Sequence, residues 1–365
     1  MSKFIILCGG TGGHLAPGLA VGQALIKAGH EAGFVISRKQ VDSRLVAKYK
    51  DLHIIKAPGI AFSKNPAKFF SFLKELKNAV MFGKKLLEDG KYDAVVSFGG
   101  FNSLGVSLAA AWMGVPIVLH EANRKAGKAT RLLGRFAKRI YVPYGVKIPR
   151  RKSGQVKYSG YPIRDEIRRI PQNEAKAAFD FAPDANILLV LGGSQGAAAL
   201  NEWANENFAK LAERNVDVLC VCGQGKVKYE NRSIQNSDGK VRHLKFLEFC
   251  DNMAAAMSAA NVVVARAGAG TIAELARIGV PSLIVPYPFA ADNHQYENAK
   301  CFEKHGGCVM LEQRNLDKLF DETMELFENT RLRESMEKNL VRVDDLNDTS
   351  KIADDLARIA RRDAE

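Results

Sequence analysis

A short apolar run that breaks straight into a glycine turn constrains this chain more than any other feature. Phe4-Ile5-Ile6-Leu7-Cys8 is followed by Gly9-Gly10-Thr11-Gly12-Gly13, and the same construction returns as Ile187–Leu191 followed by Gly192-Gly193-Ser194-Gln195-Gly196. A continuous apolar run marks a strand covered on both faces, the condition of a parallel sheet between helical layers. A second echo, Gly114-Val115-Pro116 and Gly279-Val280-Pro281, stands ahead of further apolar runs. The pattern predicts strands over Phe4–Cys8, Gly33–Ser37, Ala94–Phe98, Val115–His120 and Arg139–Val142. It predicts a second set over Ile187–Leu191, Val216–Cys222, Asn261–Ala265, Ser282–Val285 and Cys308–Leu311. Amphipathic stretches accompany these runs, such as Ala197–Glu213 between two of them and Asn315–Phe327 after the last. The expected fold class is α/β, with two doubly wound Rossmann-like domains. Gly160 and Pro162 place a linker within Ser159–Asp165, so the expected division is 1–162, 163–340 and a C-terminal helical segment, 341–365, able to pack back on the N-terminal domain.

Glycine turns at strand ends let backbone approach a ligand and aim helix-end amides at an anion, usually phosphate. Such turns occur at 9–13, 99–100, 192–196 and 268–270. The first lacks the third glycine of a dinucleotide fingerprint and the lysine of a P-loop. Loops of this kind in two domains imply a ligand-filled cleft between them.

Charge is divided unevenly. The net charge is +13, yet residues 1–165 hold 28 Lys+Arg against 9 Asp+Glu, and the remaining 200 hold 25 against 31. A cationic first half implies a polyanionic partner: nucleic acid, an anionic membrane surface or a phosphorylated substrate. With neither a zinc finger nor an aromatic RNA-binding motif, nucleic acid is not expected. The segment Pro66–Leu87 interleaves Phe69, Phe70, Phe72, Leu73, Leu76, Val80, Met81 and Phe82 with Lys68, Lys74, Lys77, Lys84 and Lys85. That composition suits a helix lying on an anionic bilayer, and equally the crossover helix of a parallel sheet with a solvated lysine face; Trp112 is a further candidate for the patch. The uncharged stretch 94–119 is cut by Gly99, Gly100, Asn102 and Pro116, which argues against a membrane span, and the start has no secretory pattern, so a cytoplasmic chain is expected. The six cysteines form no C-x-x-C pair and no Asp-x-Asp occurs, so neither a metal nor any other cofactor is expected.

Seven motifs carry a family resemblance: Gly9 to His14 with Pro17, Gly99-Gly100, His120-Glu121-Ala122-Asn123, Gly160-Tyr161-Pro162-Ile163-Arg164, Gly192 to Ala197, Arg266 to Glu274, and Asp292-Asn293-His294-Gln295. In order and approximate spacing they resemble the MurG family, peripheral membrane enzymes of peptidoglycan synthesis that move N-acetylglucosamine from UDP-N-acetylglucosamine onto lipid I, making lipid II. The resemblance covers about residues 4–340. It implies an inverting glycosyltransferase of GT-B architecture, its two domains facing across a cleft, with the acceptor handled by the N-terminal domain and the UDP-sugar mostly by the C-terminal one. It further implies peripheral attachment to the anionic cytoplasmic face of the membrane.

The resemblance implies roles residue by residue. Thr11, Gly12, Gly13 and His14 would form the cleft floor, with Asn123 opposite. His14 would take the proton of the acceptor hydroxyl or bind the acceptor's diphosphate, and Glu121 is the competing base. Ser194 and Gln195 fall at phosphate contacts, and Ala269, Gly270 and Thr271 would offer amides beside the diphosphate. Glu274 would accept from the ribose hydroxyls, Arg164 would be the donor-side cation, and Gln295 with Asn298 would read the sugar's hydroxyls. Cys250 would meet uracil through its backbone. Phe101 and Asn102 stand where a hydroxylated aromatic is common, and Ala267 and Gly270 depart from the usual Ser and Leu. Transfer to another lipid such as diacylglycerol, a UDP-N-acetylglucosamine 2-epimerase, and a nucleic-acid- or membrane-binding module that has lost catalysis are the competing readings.

Overall fold

A computed structural model of the chain describes residues 1–10, 12–38, 40–58, 69–149, 151–152, 154–193 and 196–362. Thr11, Ser194, Gln195 and Pro66–Lys68 therefore lie outside the described residues. The chain forms two compact units: Met1–Asp165 with Leu346–Glu365, and Glu166–Asp345.

Unit 1 contains β1 (Lys3–Leu7), β2 (Glu31–Ile36), β3 (His53–Lys56), β4 (Ala94–Ser97), β5 (Ile117–His120), β6 (Arg139–Val142) and β7 (Val156–Tyr158). They pair in the order β3-β2-β1-β4-β5-β6-β7, parallel throughout. Its helices are α1 (Gly12–Lys27), α2 (Gln40–Val46), α3 (Phe69–Gly90), α4 (Leu104–Met113) and α5 (Lys128–Leu133). β1, β4 and β5 are almost wholly buried because helices cover both faces. Small residues bring the layers close. A Cβ at Gly22 of α1 would stand 2.1 Å from Phe34 Cζ, and one at Gly18 would stand 2.3 Å from Cys8 Cβ. On the other face, Gly83 of α3 approaches the backbone of Val106, and Gly105 of α4 approaches Ala79. α3 is thus the crossover from β3 to β4 and packs along α4.

Unit 2 contains β8 (Asn186–Leu191), β9 (Val216–Val221), β10 (Arg232–Gln235), β11 (Val241–Leu247), β12 (Val262–Ala265), β13 (Ser282–Ile284) and β14 (Val309–Met310). Their order is β10-β11-β9-β8-β12-β13-β14, parallel except that β10 runs antiparallel to β11. Its helices are α6 (Gln172–Ala177), α7 (Ala198–Glu213), α8 (Met253–Ala259), α9 (Ala269–Ile278), α10 (His294–Lys304), α11 (Leu319–Glu328) and α12 (Thr330–Asp344).

The chain then returns to unit 1 as α13 (Thr349–Arg362), whose Ile352, Leu356 and Ile359 join Phe4, Ile6 and Tyr141 in one core. At the return, Asn347 Oδ1 accepts from Tyr161 N at 2.8 Å and Thr349 Oγ1 from Ile163 N at 3.3 Å. Gly160 is required there, because a Cβ would fall 2.1 Å from the Leu346 carbonyl oxygen. Among the described residues no helix is long and apolar enough to cross a membrane.

Candidate functional site

In an open parallel sheet, ligands bind beyond the carboxyl ends of the strands where the strand order reverses. In unit 1 the reversal lies between β1 and β4; in unit 2 it lies between β8 and β12. The four glycine turns follow these four strands, two in each unit.

In unit 1 the turns after β1 and β4 meet at one side chain. Gly10 (φ 118°), Gly99 (φ 89°) and Gly100 (φ 82°) adopt positive φ that suits glycine. Cβ atoms at Gly99 and Gly100 would stand 3.8 Å from His14 Nε2 and 3.3 Å from His14 Nδ1. His14, in the first turn of α1, is half-buried, so its ring is lodged against the second turn and still reaches solvent. Gly13, beside it, is exposed.

Glu121 has a different setting. It is 6% exposed and both of its oxygens are occupied. Oε1 accepts from Asn123 N (3.1 Å) and Asn123 Nδ2 (3.3 Å), and Oε2 accepts from Gly127 N (2.8 Å) and Thr130 Oγ1 (2.8 Å). The carboxylate closes the loop from β5 to α5 and fixes Asn123 within it. Arg164, the expected donor-side cation, falls in unit 1 and is 6% exposed, and its Nη1 donates to Tyr49 Oη at 3.4 Å.

In unit 2, Gly193 and Gly196 (both φ 74°) frame the turn into α7, and a Cβ at Gly196 would stand 2.5 Å from the Cys222 carbonyl oxygen. At α9, the N-cap Gly268 supplies no side chain, and the intrahelical bonds begin with Ile272 N on Gly268 O at 3.0 Å. The amides of Ala269, Gly270 and Thr271 precede that bond and carry the positive end of the helix, the arrangement that receives phosphate. Glu274 stands half-buried one turn further on. On α10, Gln295 Oε1 accepts from Tyr287 N at 2.9 Å, and Asn298, 5% exposed, donates from Nδ2 to Ala267 O at 3.2 Å. These two amides fasten the loops after β13 and β12 to one helix face. Cys250 is buried just ahead of α8, whose N-cap Asn252 accepts from Ala255 N.

The family models for the glycosyltransferase family 28 N-terminal domain and C-terminal domain match residues 4–142 and 187–355. The chain is 43% identical over 361 residues, 99% of its length and 96% of the relative's, to the UDP-N-acetylglucosamine--N-acetylmuramyl-(pentapeptide) pyrophosphoryl-undecaprenol N-acetylglucosamine transferase of Opitutus terrae. The chain belongs to the MurG family. The relative of the same name from Rickettsia canadensis is 33% identical over 94% of this chain and 95% of its own. Among solved structures, MurG of Acinetobacter baumannii superposes with a TM-score of 0.69, at 24% identity, over 98% of this chain and 100% of its own. The fold, and only the fold, is shared with UDP-GlcNAc 2-epimerase from Neisseria meningitidis, at a TM-score of 0.68 and 14% identity over 99% of this chain and 100% of the other.

Two residues of this MurG-family chain that the sequence motifs contained without a role stand out in the structure. Arg266, at the end of β12, is 7% exposed, and its Nη1 donates to the carbonyls of Val285 (3.1 Å) and Pro286 (3.4 Å). Desolvation lowers its pKa to about 10, partly offset by Tyr287. His120, 2% exposed, donates from Nε2 to Gly160 O at 3.4 Å beside the rings of Phe98 and Tyr161. Burial takes its pKa down to about 4, against the raising influence of the Gly160 bond and Glu121, so the ring is neutral and structural near neutral pH.

Proposed function

We propose that this enzyme transfers N-acetylglucosamine from UDP-N-acetylglucosamine to the C4 hydroxyl of the N-acetylmuramyl group of lipid I, with inversion, forming lipid II. The observation that carries the reading is identity along nearly the full chain to a relative named for this transfer, at 43%. The geometry supports it: glycine turns stand at the reversal of both sheets, and the α9 amides form an anion receptor in unit 2.

In this mechanism unit 2 holds the donor and unit 1 the acceptor. Ala269, Gly270 and Thr271, with the turn carrying Ser194 and Gln195, hold the diphosphate, so donors already in place meet the charge that develops as the bond from the anomeric carbon to UDP breaks. Glu274 takes the ribose hydroxyls, Cys250 lies at the uracil end, and Gln295 with Asn298 faces the sugar. His14 accepts the acceptor's hydroxyl proton as the oxygen bonds to the anomeric carbon, and Gly12 and Gly13 precede His14 in the chain. Glu121 acts as a positioning residue, since its oxygens already serve four donors. The enzyme binds the anionic cytoplasmic face of the membrane through the surface of α3 and α4 in unit 1, without a span.

The test offers purified protein UDP-N-acetylglucosamine with lipid I, with diacylglycerol, or with no lipid, and measures UDP release. Release with lipid I alone is expected. Release with diacylglycerol alone would move the enzyme to another lipid acceptor, and release without lipid would make it a hydrolase or epimerase.

A further inference from the structure

The loop after β13 presents two aromatic rings to solvent from a backbone tied down on both sides. Arg266 reaches under it to the Val285 and Pro286 carbonyls, donates from Nη2 to Gln313 Oε1 at 2.5 Å, and lies 5.5 Å from the Tyr287 ring centroid. From the other side, Gln295 accepts the Tyr287 amide, and Ala290 N bonds back to Tyr287 O at 3.2 Å. The path into α10 then runs through Asp292 (φ 54°) and Asn293 (φ 57°), consecutive non-glycine residues in the left-handed region. Such backbone persists only where its surroundings hold it, and it gathers at ligand clamps.

A buried guanidinium and a strained turn thus fix a loop whose outward rings are largely uncovered. Tyr287 is 43% exposed and Phe289 79% exposed, with centroids 5.7 Å apart and planes at 73°. These rings occupy the loop that carries the Gln295 contact, at the carboxyl edge of the sheet where α10 begins. A pyranose ring has a face made of C–H groups, and an aromatic face, negative at its centre, attracts such groups while shedding water. Amides on α10 and rings on the adjoining loop together match a ligand with hydroxyls at its rim and C–H groups on its face.

We infer that Tyr287 and Phe289 form the platform on which the hexosamine ring of the sugar nucleotide rests, setting affinity for the sugar separately from affinity for the nucleotide. The inference rests on the donor assignment proposed above.

Calorimetric titration of the full chain with UDP and with UDP-N-acetylglucosamine tests it. Phe289→Ala and Tyr287→Ala should each weaken UDP-N-acetylglucosamine about tenfold, the scale of one lost aromatic contact, while UDP binds as before. Tyr287→Phe and Phe289→Tyr, which keep the ring, should retain both affinities, and Phe289→Leu, which keeps only apolar bulk, should not. Because Phe289 is so exposed, its variants are expected to melt like the parent, and they carry the test if Tyr287→Ala fails to fold. Equal losses for UDP and UDP-sugar would overturn the inference, as would unchanged affinity for both with a raised KM for the lipid acceptor. If the parent chain binds neither ligand, the donor assignment falls and takes this inference with it.

Discussion

His14 and Glu121 offer similar proton chemistry in the sequence, and the fold has treated them differently. His14 keeps a half-exposed ring between two glycine turns, whereas Glu121 is enclosed with four donors on its oxygens. Moving a proton onto that carboxylate would disturb bonds that hold Asn123, Gly127 and Thr130. His14→Ala should therefore cut kcat by a factor on the order of 10²–10⁴, the usual contribution of a positioned base, with little change in equilibrium affinity for UDP-N-acetylglucosamine. Glu121→Gln should keep kcat within about tenfold but lower stability by about 1–3 kcal/mol, because buried donors lose their acceptor. Steady-state kinetics and denaturant unfolding of both variants check this, and the reverse pattern assigns the base to Glu121. Gly10, Gly99 and Gly100 were legible in the sequence because positive φ leaves a residue signature. The saturation of Glu121 was only partly so: its partners at 123, 127 and 130 are near in sequence, but nothing in their identity says which side chain turns inward. Arg266 was less legible still, since its partners lie 19 to 47 residues away.

Strands buried on both faces announced themselves as apolar runs, as did the edge strand β14 within Cys308–Leu311, whereas the other edge strands did not. β3 (His-Ile-Ile-Lys), β7 (Val-Lys-Tyr) and β10 (Arg-Ser-Ile-Gln) are short and at best half-buried, and β11 alternates polar with apolar residues, so none reads as a continuous run. The antiparallel β10–β11 hairpin departs from the parallel pattern for the same reason. α13 was legible as a helix, but its seat depends on one acid. Asp355, 5% exposed, accepts from Tyr141 Oη (2.6 Å) and Lys157 Nζ (2.8 Å) and pairs with Arg139 Nε (3.1 Å), fastening α13 to β6 and β7. Burial would raise its pKa, but the bonds from Lys157 and Tyr141 and the charges of Arg139 and Lys157 outweigh that and hold it below the ordinary carboxylate value. A carboxyl whose folded pKa is depressed stabilises the fold above its unfolded pKa and loses that contribution as pH falls through the folded value. Asp355→Ala should cost about 2 kcal/mol at neutral pH, less than for a fully buried pair because its partners are partly solvated. Urea unfolding of parent and variant should show the gap closing below about pH 4; a gap of constant size would show that the acid acts by packing alone.

The membrane attachment proposed above is ascribed to the charge and the apolar surface of unit 1; among the described residues no helix is long and apolar enough to span a bilayer. The inward side of α3 packs on the core through Phe72, Leu76, Ala79 and Val80. Its outward side carries Phe70 (80% exposed), Leu73, Met81 and the exposed Lys74 and Lys77, and Lys84 lies 5.2 Å from the ring centroid of Trp112 on α4. One helix therefore serves as crossover and as surface: Phe72 and Phe82 pack on the core, while Phe70 faces water on a helix that also carries exposed Lys74 and Lys77. An apolar stripe with a basic flank binds an anionic interface by burying its rings and pairing its cations with headgroups. Sedimentation with vesicles should show binding to anionic lipid, weak binding to neutral lipid, and loss of binding as salt rises. Lys74→Gln with Lys77→Gln should weaken anionic-vesicle binding at least about tenfold, at about 1 kcal/mol per lysine, while Phe70→Ser with Trp112→Ser should weaken binding to both lipid types. None of these substitutions touches His14 or the α9 amides, so turnover on a detergent-dispersed acceptor should survive. Binding that ignores both salt and lipid charge would mean that the lysines merely solvate the helix and that the rings alone carry the protein to its substrate.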